Sequence, residues 1–204
     1  MDVTLTTAAC FCLDFISYNC LLPLCSQPTE VMKRLFDIVV AFGALLFLLP
    51  LFLVVAVLIK LDSRGPVFFK QKRLGVRFRP FQILKFRTMV QDSSTRGESI
   101  TIGDDPRITR VGWFLRKTKI DELPQLINVL RGEMTFVGPR PEVPQYVELF
   151  RRDYEEILRI RPGITDLASI KYRDEAALLG QSKNAEEEYV TRVLPDKINL
   201  GKEY

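Results

Sequence analysis

Residues 38–59 read IVVAFGALLFLLPLFLVVAVLI, a run without a single charge. As a straight helix it extends about 33 Å, enough for roughly 30 Å of hydrocarbon. Two features argue against a simple crossing. Lys33 and Arg34 precede the run while Lys60 and Arg64 follow it, so the preference of basic residues for the cytoplasmic side draws both ends to one face. Pro50 stands near the middle, where it removes a backbone donor and crowds the carbonyl of Leu46, bending or breaking a helix. Two half-length helices joined at Pro50 satisfy both features by entering and leaving on the same side. A kinked spanning helix is the alternative, because proline is also tolerated in ordinary spans. A buried core helix fits less well, since the run is apolar on every face. The expectation is a re-entrant hairpin over residues 32–64. Asp37 lies at its edge, beside Lys33 and Arg34 by helical spacing, and reads as an interfacial ion pair before it reads as a phosphate ligand.

Around this run the chain is uneven. Its 204 residues suit one domain with a real core. Lys and Arg outnumber Asp and Glu by 29 to 25, so the placement of charge matters more than its sum. There is no histidine, and Cys10, Cys12, Cys20 and Cys25 have no partner ligands at zinc spacing. A nucleophile or general base in the body of the chain is therefore Asp, Glu, Ser, Thr, Tyr or Lys. Residues 1–31 lack the basic start of a secretory signal and differ in character from the rest of the chain. With Met32-Lys33-Arg34 as a natural beginning, they are expected to be a dispensable leader, and residues 65–204 the domain that carries the chemistry.

Behind the apolar run come Lys60, Arg64, Lys70, Lys72, Arg73, Arg77, Arg79, Lys85 and Arg87, opposed only by Asp62. Beside a membrane segment such a cluster is drawn to anionic headgroups by about 1 kcal/mol per residue. Nucleic acid would compete for basic residues interleaved with phenylalanines, but the apolar neighbour favours lipid. Residues 66–75 and 80–89 are β-rich and flank a Gly75-containing turn, the pattern of a hairpin. Alternation sets Lys85 and Arg87 on one face and leaves Phe86 and Met89 to the core. Residues 91–103 are polar and rich in Ser and Gly, a mobile loop that could act as a lid.

Asp105 reads as the cap of the next helix and Pro106 as its first-turn residue, with Val111, Phe114 and Leu115 on the buried face. Asp121 and Glu122 then precede the apolar stretch 123–130, which Gly132 stops. Carboxylates in a first turn usually complement the helix dipole. Here Arg116 lies upstream, and Arg140 is fixed between Pro139 and Pro141 downstream. Two carboxylates among guanidinium groups suit substrate phosphates or a metal. Residues 142–160 carry Val143, Tyr146, Phe150, Tyr154, Ile157 and Leu158 at helical spacing, an amphipathic helix expected to pack on the core.

The segments KRLFDIVVAFGALLFLLP, FKQKRLG, FQILKFRTM, DDPRITRVGWFLRKTKIDELPQLINVLRGEMTFVGPRP and RPGIT together resemble the bacterial monotopic phosphoglycosyl transferases, which start glycan assembly on polyprenol phosphate. The resemblance runs in order over residues 32–204. It implies an α+β, monotopic membrane protein at the cytoplasmic face of the inner membrane, with the hairpin followed by a small, mostly helical catalytic domain that contains the β-hairpin. It also implies a two-step transfer. Asp121 matches the nucleophile that attacks the sugar-linked phosphorus of a UDP-sugar, releases UMP and holds the phosphosugar; polyprenol phosphate then displaces it. Glu122 matches the second member of the dyad and would help hold Mg²⁺ with Asp121 or manage protons. Arg140, Arg116, Lys85 and Arg87 match phosphate-binding positions. The partners implied are the two substrates and membrane lipid, without nucleic acid, and a homodimer is compatible with them. A peripheral membrane adaptor or a shortened, inactive relative is the alternative.

Three departures from that pattern stand out. Many members have Ser before the hairpin proline, where this chain has Leu49, which cannot satisfy the carbonyl that Pro50 frees. The common PGITGLAQV appears as residues 162–170, PGITDLASI, a region expected to bear on the choice of sugar. Relatives usually continue past Tyr204 with another apolar-rich helix, so weaker interfacial docking is expected here.

Overall fold

The computed structural model describes residues 28–90, 105–180, 182 and 184–204. Most of the expected leader, the lid loop and Asp104 lie outside the described residues. The apolar run forms one continuous helix, α1 (Pro28–Asp62), with Pro50 inside it. Two half-length helices are therefore not what the structure shows, and the reason is a contact stripe. Ala41, Ala44, Leu45 and Leu48 pack on one apolar cluster; Leu51, Phe52, Val55 and Ile59 pack on a second. These positions recur at helical spacing without a slip at Pro50. One register serves both halves, and the proline removes a backbone bond without ending the helix.

Polar anchors extend the stripe at both ends. Arg34 donates to the carbonyls of Val129 at 2.6 Å and Leu130 at 3.1 Å. Asp37 accepts from Thr135 Oγ1 at 2.6 Å and is buried. It is a tie between α1 and the domain, not the interfacial ion pair its neighbours suggested. At the far end Asp62 accepts from the backbone N of Val111 at 3.0 Å. Both ends of α1 are thus fastened to the same domain. The remaining faces stay bare: Phe36, Phe42, Phe47, Leu53, Val57 and Leu61 are exposed, and α1 is long and apolar enough to cross a membrane.

Strands β1 (Phe68–Leu74) and β2 (Pro80–Phe86) pair antiparallel, Phe68 opposite Phe86 and Leu74 opposite Pro80. This is the expected hairpin, but only the start of β2 is solvated, at Pro80 and Gln82. Phe81, Ile83, Leu84 and Phe86 are all buried. Phe86 sits edge-on to Phe52 of α1 and stacks on Phe68, fixing the end of the strand against the apolar helix. Helix α2 (Arg110–Thr118) comes next. Its cap is Thr109, which accepts from Gly112 N at 3.0 Å. Asp105, expected in that role, instead accepts from the backbone N of Arg107 and from its guanidinium. Phe114 is exposed, and the buried face is made by Gly112 and Leu115. A Cβ on Gly112 would stand 2.0 Å from the carbonyl oxygen of Thr88, so only glycine lets α2 approach the end of β2 this closely.

A 3₁₀ turn (Ile120–Glu122) leads into α3 (Gln125–Arg131), which Gly132 ends at φ 82°. Asn128 of α3 is fully buried and pegs the helix to β2: its Nδ2 donates to the Gln82 carbonyl at 2.8 Å and its Oδ1 accepts from Leu84 N at 3.0 Å. Then come β3 (Thr135–Val137), α4 (Pro144–Leu149), α5 (Arg151–Ile157) and β4 (Gly163–Thr165), which pairs parallel with β3. The single helix expected over 142–160 is broken at Phe150, whose φ of −117° and ψ of 37° leave the helical region. Its apolar face nevertheless packs on the core as expected, through Tyr146, Tyr154, Ile157 and Leu158. Helices α6 (Leu167–Lys171), α7 (Glu175–Leu179), α8 (Ala185–Glu188) and α9 (Leu194–Lys202) complete that core with Leu179, Leu194 and Ile198. The fold is α+β, led by one long apolar helix.

Candidate active site

The turn that bears the two carboxylates is forced by its predecessor. Lys119 takes the left-handed conformation at φ 59° and closes α2 by donating its N–H to Arg116 O, a backbone state that costs a non-glycine residue about 1 kcal/mol. The chain reverses there, Ile120 packs into the cluster that covers Val55 and Ile59 of α1, and Asp121 turns inward to 7% exposure. The candidate nucleophile therefore stands one residue from the apolar helix.

Glu122 gathers the cations. Its Oε1 accepts from Lys85 Nζ at 2.8 Å and from Arg140 Nη2. Lys85 comes from β2 and Arg140 from the turn after β3, so the site joins two strands to the 3₁₀ turn. Arg116 is brought alongside by α2 and held by Thr88, whose Oγ1 accepts from its Nε at 2.8 Å. Arg87 is not part of this group. Its guanidinium donates to the carbonyls of Arg64 at 2.7 Å and Ser63 at 2.8 Å, at the end of α1. Past the last residue of β2 the strict alternation stops, and Arg87 turns to the helix end instead of joining Lys85.

The electrostatics separate the two neighbours. For Asp121, burial pushes the carboxyl up; Lys85 opposes this, adjacent Glu122 adds to it, and Arg116 opposes it further, leaving a net rise. Burial acts on Glu122 in the same sense, but Lys85 and Arg140 outweigh it and hold the group well below the usual carboxylate range. Lys85 is lowered, by burial first, with Arg140 adding to the effect and Glu122 opposing it. Among the described residues four buried side-chain atoms have no hydrogen-bond partner: Asp121 Oδ1, Nε2 of Gln125 four residues on, and the Nε atoms of Arg73 and Arg87; Asp121 Oδ1 is the one carboxylate oxygen among them. Unpaired buried polar atoms are rare in a stable fold and need a reason. A nucleophile is such a reason, since a lone pair engaged in a hydrogen bond is less available to attack.

The donor set is compatible with Mg²⁺, which one or two carboxylates plus waters and substrate phosphates commonly hold. Among the described residues Asp121 Oδ1 has no partner, and the hydrogen bonds to Glu122 converge on Oε1 and leave Oε2 available. Among the described residues no group of three or more His, Cys, Asp or Glu forms a ready-made cage, so substrate oxygens would have to complete the shell.

Several supporting residues were not foreseen. Thr88 holds Arg116, Asn128 sets β2 against α3, and Asp166 accepts from the backbone N of Arg140 at 2.9 Å. For Asn128 a signal is present: an amide within the apolar stretch 123–130, which holds only Gln125 besides, needs partners when it is buried. Thr88 and Asp166 depend on contacts between distant segments, which local patterning does not reveal.

The chain is also similar to known proteins. The chain is 44% identical over 164 residues to a UDP-N-acetylgalactosamine-undecaprenyl-phosphate N-acetylgalactosaminephosphotransferase of Aeromonas hydrophila, covering 78% of this chain and 38% of that protein. It is 49% identical over 145 residues to an undecaprenyl-phosphate glucose phosphotransferase of Komagataeibacter xylinus, covering 68% of this chain and 27% of that one. The chain thus spans between about a quarter and two fifths of those two proteins. It is also 47% identical over 149 residues to the exopolysaccharide production protein PSS of Rhizobium leguminosarum bv. phaseoli, covering 69% of this chain and 74% of the relative. Residues 28–195, which include α1 and every candidate site residue from Lys85 to Arg140, match the bacterial sugar transferase family, and the chain belongs to that family.

Proposed function

We propose that the protein transfers a phosphosugar from a UDP-sugar to a polyprenol phosphate at the cytoplasmic face of the bacterial inner membrane, as the first membrane step of glycan assembly. The observation that carries this reading is Asp121 Oδ1, buried and without a partner beside a glutamate that Lys85 and Arg140 already neutralise. The relatives' names supply the acceptor class, undecaprenyl phosphate, and a sugar phosphate as the group moved.

In the first step a carboxylate oxygen of Asp121 forms a bond to the sugar-bearing phosphorus, and the bridging P–O bond breaks with its electrons on the leaving UMP. In the second, an anionic oxygen of polyprenol phosphate forms the new P–O bond, and the aspartyl P–O bond breaks, restoring the carboxylate. Both nucleophiles are anions, so neither attack requires a general base, and a chain without histidine loses nothing by it. Arg140 and Lys85 would trade part of their contact with Glu122 for phosphate oxygens, stabilising the charge that develops there. Arg116, fixed by Thr88 and close enough to Asp121 to act on its charge, would add a further cation for the phosphates. Mg²⁺, held by Asp121 and the free oxygen of Glu122, would supply charge neutralisation of the diphosphate.

The acceptor's tail needs a lipid surface beside the site, and α1 provides one. Its exposed apolar faces and its two ends fastened to one domain support a helix that enters the bilayer without crossing it. Incubation in detergent or nanodiscs with Mg²⁺, undecaprenyl phosphate and a panel of UDP-sugars should release UMP with at least one sugar. No release with any of them would leave an adaptor reading in place of an enzyme.

A further inference from the structure

We infer that Asp166 is a positioning residue for Arg140, fixing the arginine clamp through its backbone. Asp166 sits at the start of α6 with both oxygens engaged. Its Oδ1 accepts from Ser169 N at 2.6 Å and from Ser169 Oγ at 2.5 Å, as an ordinary cap does. Its Oδ2 does something a cap does not require: it reaches the turn after β3 and accepts from Arg140 N at 2.9 Å. Pro139 and Pro141 have no N–H, so Arg140 carries the only backbone donor between residues 139 and 141, and Asp166 takes it. The turn's neighbouring donor, Gly138 N, goes to Thr165 O at 3.1 Å, and Gly163 N donates back to Pro139 O at 3.0 Å.

The turn is thereby laid flat on β4 and Asp166. A Cβ on Gly163 would come within 2.2 Å of Gly138 N, which shows how closely the two segments approach. On its other flank Pro141 O accepts from Arg73 Nη1 at 3.1 Å. Arg140 therefore presents its side chain to Glu122 from a backbone held at both ends, and among the described residues Asp166 is the one side chain that grips the arginine's own N–H. Asp166 and Ser169 are also the two positions where PGITDLASI departs from PGITGLAQV within the motif's polar and glycine sites. They act as a pair, because the serine fixes the carboxylate that fixes the turn.

The inference rests on the reading of Arg140 as a phosphate clamp for its kinetic arm but not for its chemical one. In the chemical arm, the full chain is treated with phenylglyoxal, and modification of Arg140 and Arg73 is followed by peptide mass spectrometry. Asp166→Ala should raise the rate at Arg140 severalfold and leave Arg73 unchanged. An unchanged rate at Arg140, or an equal rise at Arg73, would overturn the proposal, the latter because it reports general loosening. In the kinetic arm, loss of one charge-assisted hydrogen bond should lower kcat/KM for UMP release about tenfold in Asp166→Ala. The same substitution made on Arg140→Ala should change it by less than about twofold, because non-additivity marks residues that act through one another. Equal losses in both backgrounds would make Asp166 merely structural. Absence of turnover in the unmodified protein would count against the transfer reaction and leave the phenylglyoxal result to decide this inference.

Discussion

Two partly buried glutamates, Glu122 and Glu142, stand on either side of the Arg140 turn, and both bind a cation from the same β-hairpin. Glu142 is complete. Its Oε1 accepts from Arg73 Nη1 at 2.7 Å and from Val143 N at 2.8 Å, and its Oε2 accepts from Tyr189 OH at 2.7 Å. Glu122 concentrates Lys85 and Arg140 on one oxygen and leaves the other available, next to an aspartate with a buried oxygen that has no partner at all. The first arrangement joins the hairpin to the C-terminal helices; the second holds capacity in reserve. The contrast lies in the carboxylates, since Arg73 Nε is itself buried without a partner: a glutamate with both oxygens engaged belongs to the framework, and one at similar burial with an oxygen in reserve marks where a ligand completes the set.

The sharpest way to break this comparison is Asp121→Asn. Turnover should fall by about 10³-fold or more, as expected when a covalent nucleophile is removed, while the folded protein should gain stability at pH 7. The sign comes from the raised pKa of Asp121, caused first by burial. A carboxyl raised in the folded state favours folding below its unfolded value, about 3.9, and that contribution is lost as pH rises through the folded value. At pH 7 the ionised form carries a penalty that asparagine does not. Thermal melts in detergent should therefore place the variant above the parent at pH 7, the gap closing towards pH 3. A variant less stable than the parent at pH 7 would mean that Asp121 belongs to the framework, as Glu142 does.

Removing Glu142 should do the reverse. Glu142→Ala leaves the partly buried Arg73 without its carboxylate and Tyr189 without its acceptor, at a cost of about 2–3 kcal/mol. Denaturant melts should show that loss. Activity of the fraction that remains folded should fall far less than in Asp121→Asn.

Glu122→Gln should lie between these extremes, costing about 1–2 kcal/mol at pH 7 because Arg140 retains some solvent. Its pH dependence is opposite to that of Asp121. Burial is outweighed by Lys85 and Arg140, so the folded pKa is lowered, and the contribution present above about 4.3 is lost as pH falls towards the folded value. Parent and variant should therefore converge in acid. Convergence on raising the pH instead would show that Lys85 and Arg140 do not hold Glu122 ionised.

Legibility in the sequence divides along the same line. The hairpin, the carboxylate turn and the core face of residues 142–160 were legible because alternation, glycine stops and helical spacing are local. The parallel β3–β4 pair was not, since each strand has only three residues and their pairing depends on two glycines meeting across the chain. The unbroken course of α1 through Pro50 is not legible, because the run is apolar on every side, which hides the stripe from Ala41 to Ile59 that meets the domain. Lys85 and Arg140 could be assigned together because the resemblance named both, and the structure unites them on Glu122. Asp166 could not, because its role lies in a bond to a peptide 26 residues away.

Arg87 gives the finest test, because it was expected beside Lys85 and lies elsewhere. Its Nη1 and Nη2 hold the carbonyls of Arg64 and Ser63 in a fork that lysine's single ammonium cannot reproduce. Arg87→Lys should therefore cost about 1–2 kcal/mol of stability, the scale of one or two hydrogen bonds to a charged group. It should leave KM for the UDP-sugar within about twofold, because the substituted side chain touches the end of α1 and not Glu122. Arg140→Lys is the contrast: the framework is kept, and kcat/KM should fall about tenfold or more as bidentate phosphate binding is lost. If Arg87→Lys raised KM as strongly as Arg140→Lys, then Arg87 would have to leave the carbonyls of Ser63 and Arg64 when substrate binds. The end of α1 would then belong to the open network around Asp121, and the boundary between the two glutamates would have to be moved.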